Sequence, residues 1–215
     1  MKYYSITTNE KHGVQVLHDG IKGDTLDGKK IYEKFDDNII KDLVLDKHAI
    51  KTDFLESGDL SLKGLIISSK CHNLLKDFNL HDIQFVDIQN NGLNDYMFMF
   101  FNGDLTSKID YKSSNFKLYE LDIIEMEFEE VDFKVPQDRK SIIKLDIDVV
   151  SRDIEKRIFP SNGYNFNDDF QLSNYDIFRI GHFDLNYYVS EKVKNILEEN
   201  KVSGCEFIEQ KMLET

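Results

Sequence analysis

The stretch YYVSEKVKNILEENKVSGCEFIEQ, residues 187–210, predicts a strand, a capped helix and a second strand in immediate succession. Ser190 is a typical N-cap residue, and Glu191 places a negative charge in the first turn, where it complements the helix dipole. The helix has one apolar stripe, formed by Val193, Ile196 and Leu197. We expect it to end near Asn200, with a tight turn at Gly204 before the second strand.

The same pattern occurs a second time. The segment IISSKCHNLLKDFNLHDIQFVD (66–87) aligns without a gap on residues 188–209 at an offset of 122 residues, and a DF or DIF phrase precedes each copy near Phe54 and Phe178. The identical pairs are Ser68 and Ser190, Lys70 and Lys192, Asn73 and Asn195, Leu75 and Leu197, and Phe85 and Phe207. Coincidence is the alternative, because any helix packed on a sheet has this period. Since first strand, cap, loop length and last strand all agree, we predict an internal repeat.

Between the copies lies a strand-rich region, which predicts strands over residues 95–101, 116–135 and 141–150. The second of these is long enough for one bent strand or a hairpin. From residue 125 to 129 acids alternate with Met126 and Phe128, which predicts acids facing outward and the two apolar side chains inward. The fold class is therefore α+β, with two related strand-helix-strand units around a mainly antiparallel central sheet. We expect a single domain, 1–215, with pseudo-repeat halves at about 1–115 and 116–215.

Composition narrows the class of protein. With 215 residues, 40% of them hydrophobic, the chain can bury a core without a metal or a disulfide framework. Cys71 and Cys205 lie in apolar patterns and are expected to be buried thiols of a reducing compartment. No apolar run is long enough for a signal peptide or a membrane span, so a cytoplasmic location is expected.

Charge bears on the partner. Forty acidic residues against 27 basic ones give a formal charge of −13. Such a charge repels nucleic acid and anionic lipid and favours a basic protein partner. A merely soluble acidic surface is the alternative.

Few residues form a pattern that carries chemistry. On the predicted strand 141–150, Asp146 and Asp148 would point to one face and could hold Mg²⁺ together with Asp153. An amphipathic strand with a solvated face gives the same pattern. The nearest histidine and cysteine cluster, Cys71 and His72 with His81, lacks metal-ligand spacing. We expect no catalytic residue, no cofactor and no metal.

The acidic run EMEFEEVDF suggests a binding surface instead. Glu125, Glu127 and Glu129 would form a row of charges on one strand face, with Glu130 and Asp132 close by. Like charges along a strand cost stability unless water or cations meet them. These five residues are the predicted binding site for a basic protein partner, and a solvated sheet face is the alternative.

The chain resembles a bacterial family first catalogued as a domain of unknown function and later grouped with the immunity proteins of polymorphic toxin systems. Its C-terminal signature is matched by Val189, Ser190, Glu191, Ile196, Leu197, Ser203, Gly204, Glu206 and Phe207. In the middle, DYMFMFF followed by IDYKSSNF is similar to the family's central hairpin, with Asp110 and Ser113 at the matching positions. The resemblance spans roughly 60–210, and residues 1 to about 50 fit it loosely.

The resemblance implies a cytoplasmic antidote that binds a cognate toxin protein, without catalysis or cofactor. We therefore expect an immunity protein that occludes the active site or substrate cleft of a toxin, which the charge indicates is basic. The alternatives are a metal-dependent enzyme using the acidic strand cluster and a non-catalytic adaptor scaffold. Toxin identity and oligomeric state stay open.

Overall fold

A computed structural model describes residues 1–8, 16–18, 39–40, 43–45, 50–55, 64–88, 93–150, 153 and 155–213. The strands in these ranges are β1 (Tyr3–Thr8), β2 (Val16–His18), β3 (Ile39–Ile40), β4 (Leu43–Leu45), β5 (Phe54–Leu55), β6 (Gly64–Ser68), β7 (Ile83–Ile88), β8 (Tyr96–Phe101), β9 (Phe116–Asp122), β10 (Glu127–Glu130), β11 (Lys156–Pro160), β12 (Ile177–Gly181), β13 (Asp184–Ser190) and β14 (Cys205–Glu209). The α-helices are α1 (Ser69–Leu75), α2 (Tyr111–Ser114), α3 (Arg139–Val150) and α4 (Glu191–Glu199).

The two largest sheets in the described residues have five and four strands. The first has the order β3-β7-β8-β6-β5 and the second the order β12-β13-β1-β14, and within them β3 and β7 form a parallel pair while the other pairs are antiparallel. A smaller sheet, β10-β9-β11, is antiparallel, as is the pair β2-β4. Helices and mainly antiparallel sheets confirm the α+β class.

The predicted strand-helix-strand units are present as β6-α1-β7 and β13-α4-β14. In each, the two strands joined by the helix run parallel with one antiparallel strand between them, which is the split β-α-β arrangement. The middle strand is β8 in the first sheet and β1 in the second. Because β1 comes from the start of the chain yet pairs with β13 and β14, the two sheets do not divide the chain at residue 115.

An aspartate holds the helix cap in both units. The hydroxyl of Ser68, the N-cap of α1, donates to Asp53 Oδ1 at 2.8 Å, and its amide donates to the Asp53 carbonyl at 2.8 Å. The hydroxyl of Ser190, the N-cap of α4, donates to Asp176 Oδ1 at 2.8 Å, and its amide donates to the Asp176 carbonyl at 2.7 Å. The repeat therefore extends to individual hydrogen bonds that the alignment alone does not reveal.

The second oxygen of each aspartate crosses to the other unit. Asp53 Oδ2 accepts from the amide of Ser203, in the turn after α4, at 3.0 Å. Asp176 Oδ2 accepts from the amide of Asn79, in the turn after α1, at 3.3 Å. Burial would raise the pKa of Asp53, but hydrogen bonds from Ser68 and Ser203 and the charge of Lys70 outweigh it and lower that pKa. Each unit thus contributes an aspartate that binds the turn after the helix of the other unit.

The second sheet separates two hydrophobic cores, because successive residues of a strand face opposite sides. On one side α1 and α4 pack together in a core that includes Tyr4, Ile177 and Val189. On the other side Tyr3 and Phe178 pack against the segment that connects the two units. This connecting segment carries β9, β10, α3 and β11.

Residues 141–150, predicted as a strand, form the greater part of helix α3. Asp138 caps its first turn, since its Oδ1 accepts from the Ser141 amide at 3.0 Å. Ile142 is buried in the core and Val149 packs against it, at the spacing of two helical turns. The β-branched composition indicated a strand, but capping and core packing favour a helix here.

The resemblance to a central hairpin is not matched by the backbone. β8 pairs with β6 and β7 in the first sheet, whereas residues 109–116 form a bridge, helix α2 and the start of β9. Asp110 is the N-cap of α2 and accepts hydrogen bonds from the Ser113 amide and hydroxyl. The hydrogen bonds from Ser113 lower the pKa of Asp110. These two residues therefore stabilise a local turn.

Candidate functional site

Residues 116–130 form an antiparallel hairpin, one of the two structures predicted for this stretch. Its turn is built on Asp122, whose Oδ1 accepts from the amides of Ile124 and Glu125 at 2.7 and 3.2 Å. The Met126 amide donates to the Asp122 carbonyl at 2.7 Å, and Met126 has φ +56°. The turn is therefore ordered by local hydrogen bonds.

One face of the hairpin is acidic. Phe116 and Leu118 are buried at its base, and by strand alternation the side chains farther along the same face of β9 are carboxylates. Each of them lies opposite a glutamate of β10 in the register of the pair. This acidic face consists of Glu120, Asp122, Glu127 and Glu129.

Repulsion on the acidic face is only partly relieved. Like charges directly across an antiparallel pair are destabilising. Lys156 lies 3.4 Å from Glu120, but it also pairs with Asp153 at 2.9 Å. The face therefore presents a concentrated negative field that a cationic partner would relieve.

The opposite face of the hairpin is aromatic. Phe128 packs edge-on against Phe159 with ring centroids 5.6 Å apart, and Tyr119 lies 5.9 Å from the same ring. Glu130 lies on this face and pairs with Lys117 at 2.7 Å. The hydrogen bond that Lys117 donates to the Glu130 carboxylate raises the pKa of Lys117.

The end of the hairpin exposes apolar side chains. Ile123, Ile124 and Met126 form this apolar tip and are 63%, 88% and 70% exposed. Phe128 is 43% exposed, so the expectation that Met126 and Phe128 face inward is wrong. Alternation assigned a face to each residue, but the hairpin extends past the core and nothing in the described chain covers its end. An exposed apolar cluster rimmed by charge is typical of an interaction site.

The structure separates the five predicted site residues. Glu127 and Glu129 share the acidic face as expected. Glu125 belongs to the turn rather than to a strand row, Glu130 lies on the opposite face, and Asp132 is exposed beyond the end of β10. The ladder of three glutamates along one strand is thus replaced by a four-carboxylate face across two strands.

Sequence reasoning missed the contributions of β9 and of the turn. Glu120 and Asp122 join the acidic face only through pairing with β10, and Ile124 is exposed only because the turn lies beyond the core. The sequence feature that could have revealed these residues was the possibility of a hairpin in this stretch. Placing the turn at 123–126 would have set the register and brought the acids of both strands together.

The three carboxylates that could have held a metal, those of Asp146, Asp148 and Asp153, do not point to a common position. Helix α3 turns Asp146 inward, where its Oδ2 lies 2.9 Å from His182 Nε2, and leaves Asp148 exposed. Asp153 pairs with Lys156 instead. Within the described residues no group of three or more histidine, cysteine, aspartate or glutamate side chains could hold a metal. On a helix, side chains two positions apart point in different directions, so the assumed strand geometry was the error.

The histidine and cysteine cluster is also dispersed. Cys71 is buried between the helices, His72 packs against Phe85 at 4.6 Å, and His81 packs against Tyr175 at 4.9 Å. Cys71 and Cys205 are free thiols, the first buried and the second partly buried. Burial raises the pKa of both thiols to about 12, so neither is activated as a nucleophile.

No family model matches the chain, and no curated protein sequence matches it. In the described part of the chain, no helix has the length and apolar character needed to cross a membrane.

Proposed function

We propose that the protein is a cytoplasmic immunity protein whose β9-β10 hairpin enters the substrate cleft of a basic toxin. The observation that carries this proposal is the juxtaposition of the apolar tip and the acidic face on one protruding hairpin. The resemblance of the C-terminal segment to immunity proteins supports the same class.

The two parts of the hairpin would act in different ways. Exposed apolar side chains supply most of the binding energy when a partner encloses them, and they are worth little in water. The acidic face would steer association with a positively charged cleft and fix its orientation. The net charge of −13 adds to this attraction at long range.

A cleft of this kind normally binds an anionic substrate such as nucleic acid. Four carboxylates along one face of a narrow hairpin can take the place of successive phosphates. A stable complex would bury on the order of 1,200–2,000 Å², so surfaces beside the hairpin would also take part. The proposed mechanism is occlusion, and it requires no catalytic residue.

The experiment uses the product of the neighbouring gene as the toxin candidate. Binding, growth rescue and the affinity at two salt concentrations are measured for the wild type, for Ile124→Asp, and for Glu127→Lys combined with Glu129→Lys. We expect the charge-reversed variant to associate more slowly with a weaker salt dependence, and Ile124→Asp to dissociate faster. Glu199→Lys and Glu206→Lys, exposed on α4 and β14, are matched controls that should bind normally.

Stability separates loss of binding from loss of fold. Reversing Glu127 and Glu129 places cations opposite Asp122 and Glu120, so the variant should unfold at slightly higher denaturant than the wild type. Rescue that is unchanged in both hairpin variants would refute the proposal. Tight binding without growth rescue would point to the adaptor alternative.

A further inference from the structure

One pocket is lined by residues that do not belong to the β9-β10 hairpin. A pocket of about 280 Å³ lies between helix α3 and the turn joining β12 to β13, and it is lined by Asp104, Thr106, Arg139, Ile143 and His182. Arg139, Ile143 and Asp146 follow one another at helical spacing and so form one face of α3. Asp146 Oδ2 lies 2.9 Å from His182 Nε2.

Hydrogen bonds fix the wall opposite α3. The Thr106 hydroxyl donates to the Ile180 carbonyl at 3.1 Å and accepts from the His182 amide at 3.2 Å. Gly181 has φ +111°, and a Cβ there would lie 2.3 Å from Asp104 Cγ and 2.4 Å from Thr106 Oγ1. Glycine is therefore required for the chain to approach so closely, and the wall is formed before any ligand binds.

Two opposite charges border this pocket. Asp104 accepts from the Thr106 amide at 3.0 Å, and Arg139 lies beside the Tyr111 hydroxyl. Burial raises the pKa of Tyr111 to about 12, with Arg139 lowering it and Asp104 raising it, so both charges act on this one group. Neither Asp104 nor Arg139 forms an ion pair with another residue in the described part of the chain.

We propose that the pocket binds a small zwitterion, a free α-amino acid, with its carboxylate at Arg139 and its ammonium group at Asp104. A simple anion would be attracted by Arg139 but repelled by the carboxylate of Asp104. A simple cation would be attracted by Asp104 but repelled by Arg139. A molecule that carries both charges can pair its anionic group with Arg139 and its cationic group with Asp104. Ile143 supplies an apolar surface for the ligand's side chain, and the pocket volume suits a ligand of this size.

Calorimetry on the full chain tests the proposal with L-alanine, L-leucine, acetate and methylammonium as separate probes. We expect heat from the two amino acids and none from acetate or methylammonium at the same concentration. Arg139→Gln and Asp104→Asn should each weaken amino-acid binding about tenfold or more, which corresponds to about 1.4 kcal/mol. Asp104→Asn keeps an oxygen for the Thr106 amide and so preserves the local fold.

Lys140→Gln and Asp148→Asn, exposed on the same helix, are the matched controls and should bind like the wild type. Two results would overturn the proposal. One is the absence of heat with both amino acids. The other is acetate binding as tight as that of L-alanine and unaffected by Asp104→Asn, which would make the pocket a plain anion site. Neither result bears on toxin binding by the hairpin.

Discussion

The reciprocal aspartates make a quantitative prediction about stability. The Ser190 hydroxyl donates to Asp176 Oδ1 at 2.8 Å and accepts from the Val193 amide at 3.5 Å, in a buried environment. Ser190→Ala removes a helix cap, worth about 1 kcal/mol, and leaves a buried carboxylate oxygen unpaired, which costs about 1–3 kcal/mol. The unfolding free energy should therefore fall by about 2–4 kcal/mol.

Urea unfolding of Ser190→Ala, Asp176→Asn and the double variant measures the interaction directly. Because the two side chains bond each other, the double variant should lose about 1–2 kcal/mol less than the sum of the single losses. Ser68→Ala is the internal comparison and should cost less, because Asp53 is only partly buried and water can reach the oxygen that Ser68 leaves, whereas Asp176 is buried. Additive losses for Ser190 and Asp176 would refute the assigned coupling, and two separate unfolding transitions would refute the reciprocal connection of the units.

Further outcomes follow from backbone geometry, burial and exposure. Gly204→Ala should destabilise by about 2–4 kcal/mol in urea unfolding, because glycine has φ +84° there and a Cβ would lie 2.4 Å from the Phe54 carbonyl. Lys201→Gly should stabilise by about 1 kcal/mol in the same assay, since Lys201 has φ +52°. Burial lowers the pKa of His81, so below about pH 6.5 the unfolded chain takes up a proton more readily than the folded chain. The unfolding free energy should therefore fall as the pH drops below that value. In a pH series of unfolding measurements, His81→Phe should make this fall less steep. Ile124→Ser should change the unfolding free energy by less than about 0.5 kcal/mol, because the side chain is 88% exposed.

The repeat units were predictable because their information is local. Cap, stripe and turn lie within some 20 residues, and Ser68, Ser190 and Gly204 take the expected places. The hydrogen bonds between the two units were not predictable, because they join residues that are far apart in the chain. The bond between Asp53 and Ser203, for example, spans 150 residues.

The candidate site was predictable only in part. The acidic run identified the hairpin, but strand alternation states which side chains share a face and says nothing about where the core ends. Met126 and Phe128 are exposed for that reason. On α3 the error was of another kind, because the composition around Asp146 and Asp148 suits a strand while Asp138 starts a helix.

The hairpin belongs to the segment between the two copies, and no strand of either copy pairs with β10 in the described chain. The aspartate contacts that join the copies lie elsewhere, at the caps and turns of α1 and α4. The proposed recognition surface and the contacts that join the two copies therefore lie on different parts of one polypeptide. Under the proposed function, substitutions at the exposed tip would change what the protein binds without removing any of the hydrogen bonds that join the two copies.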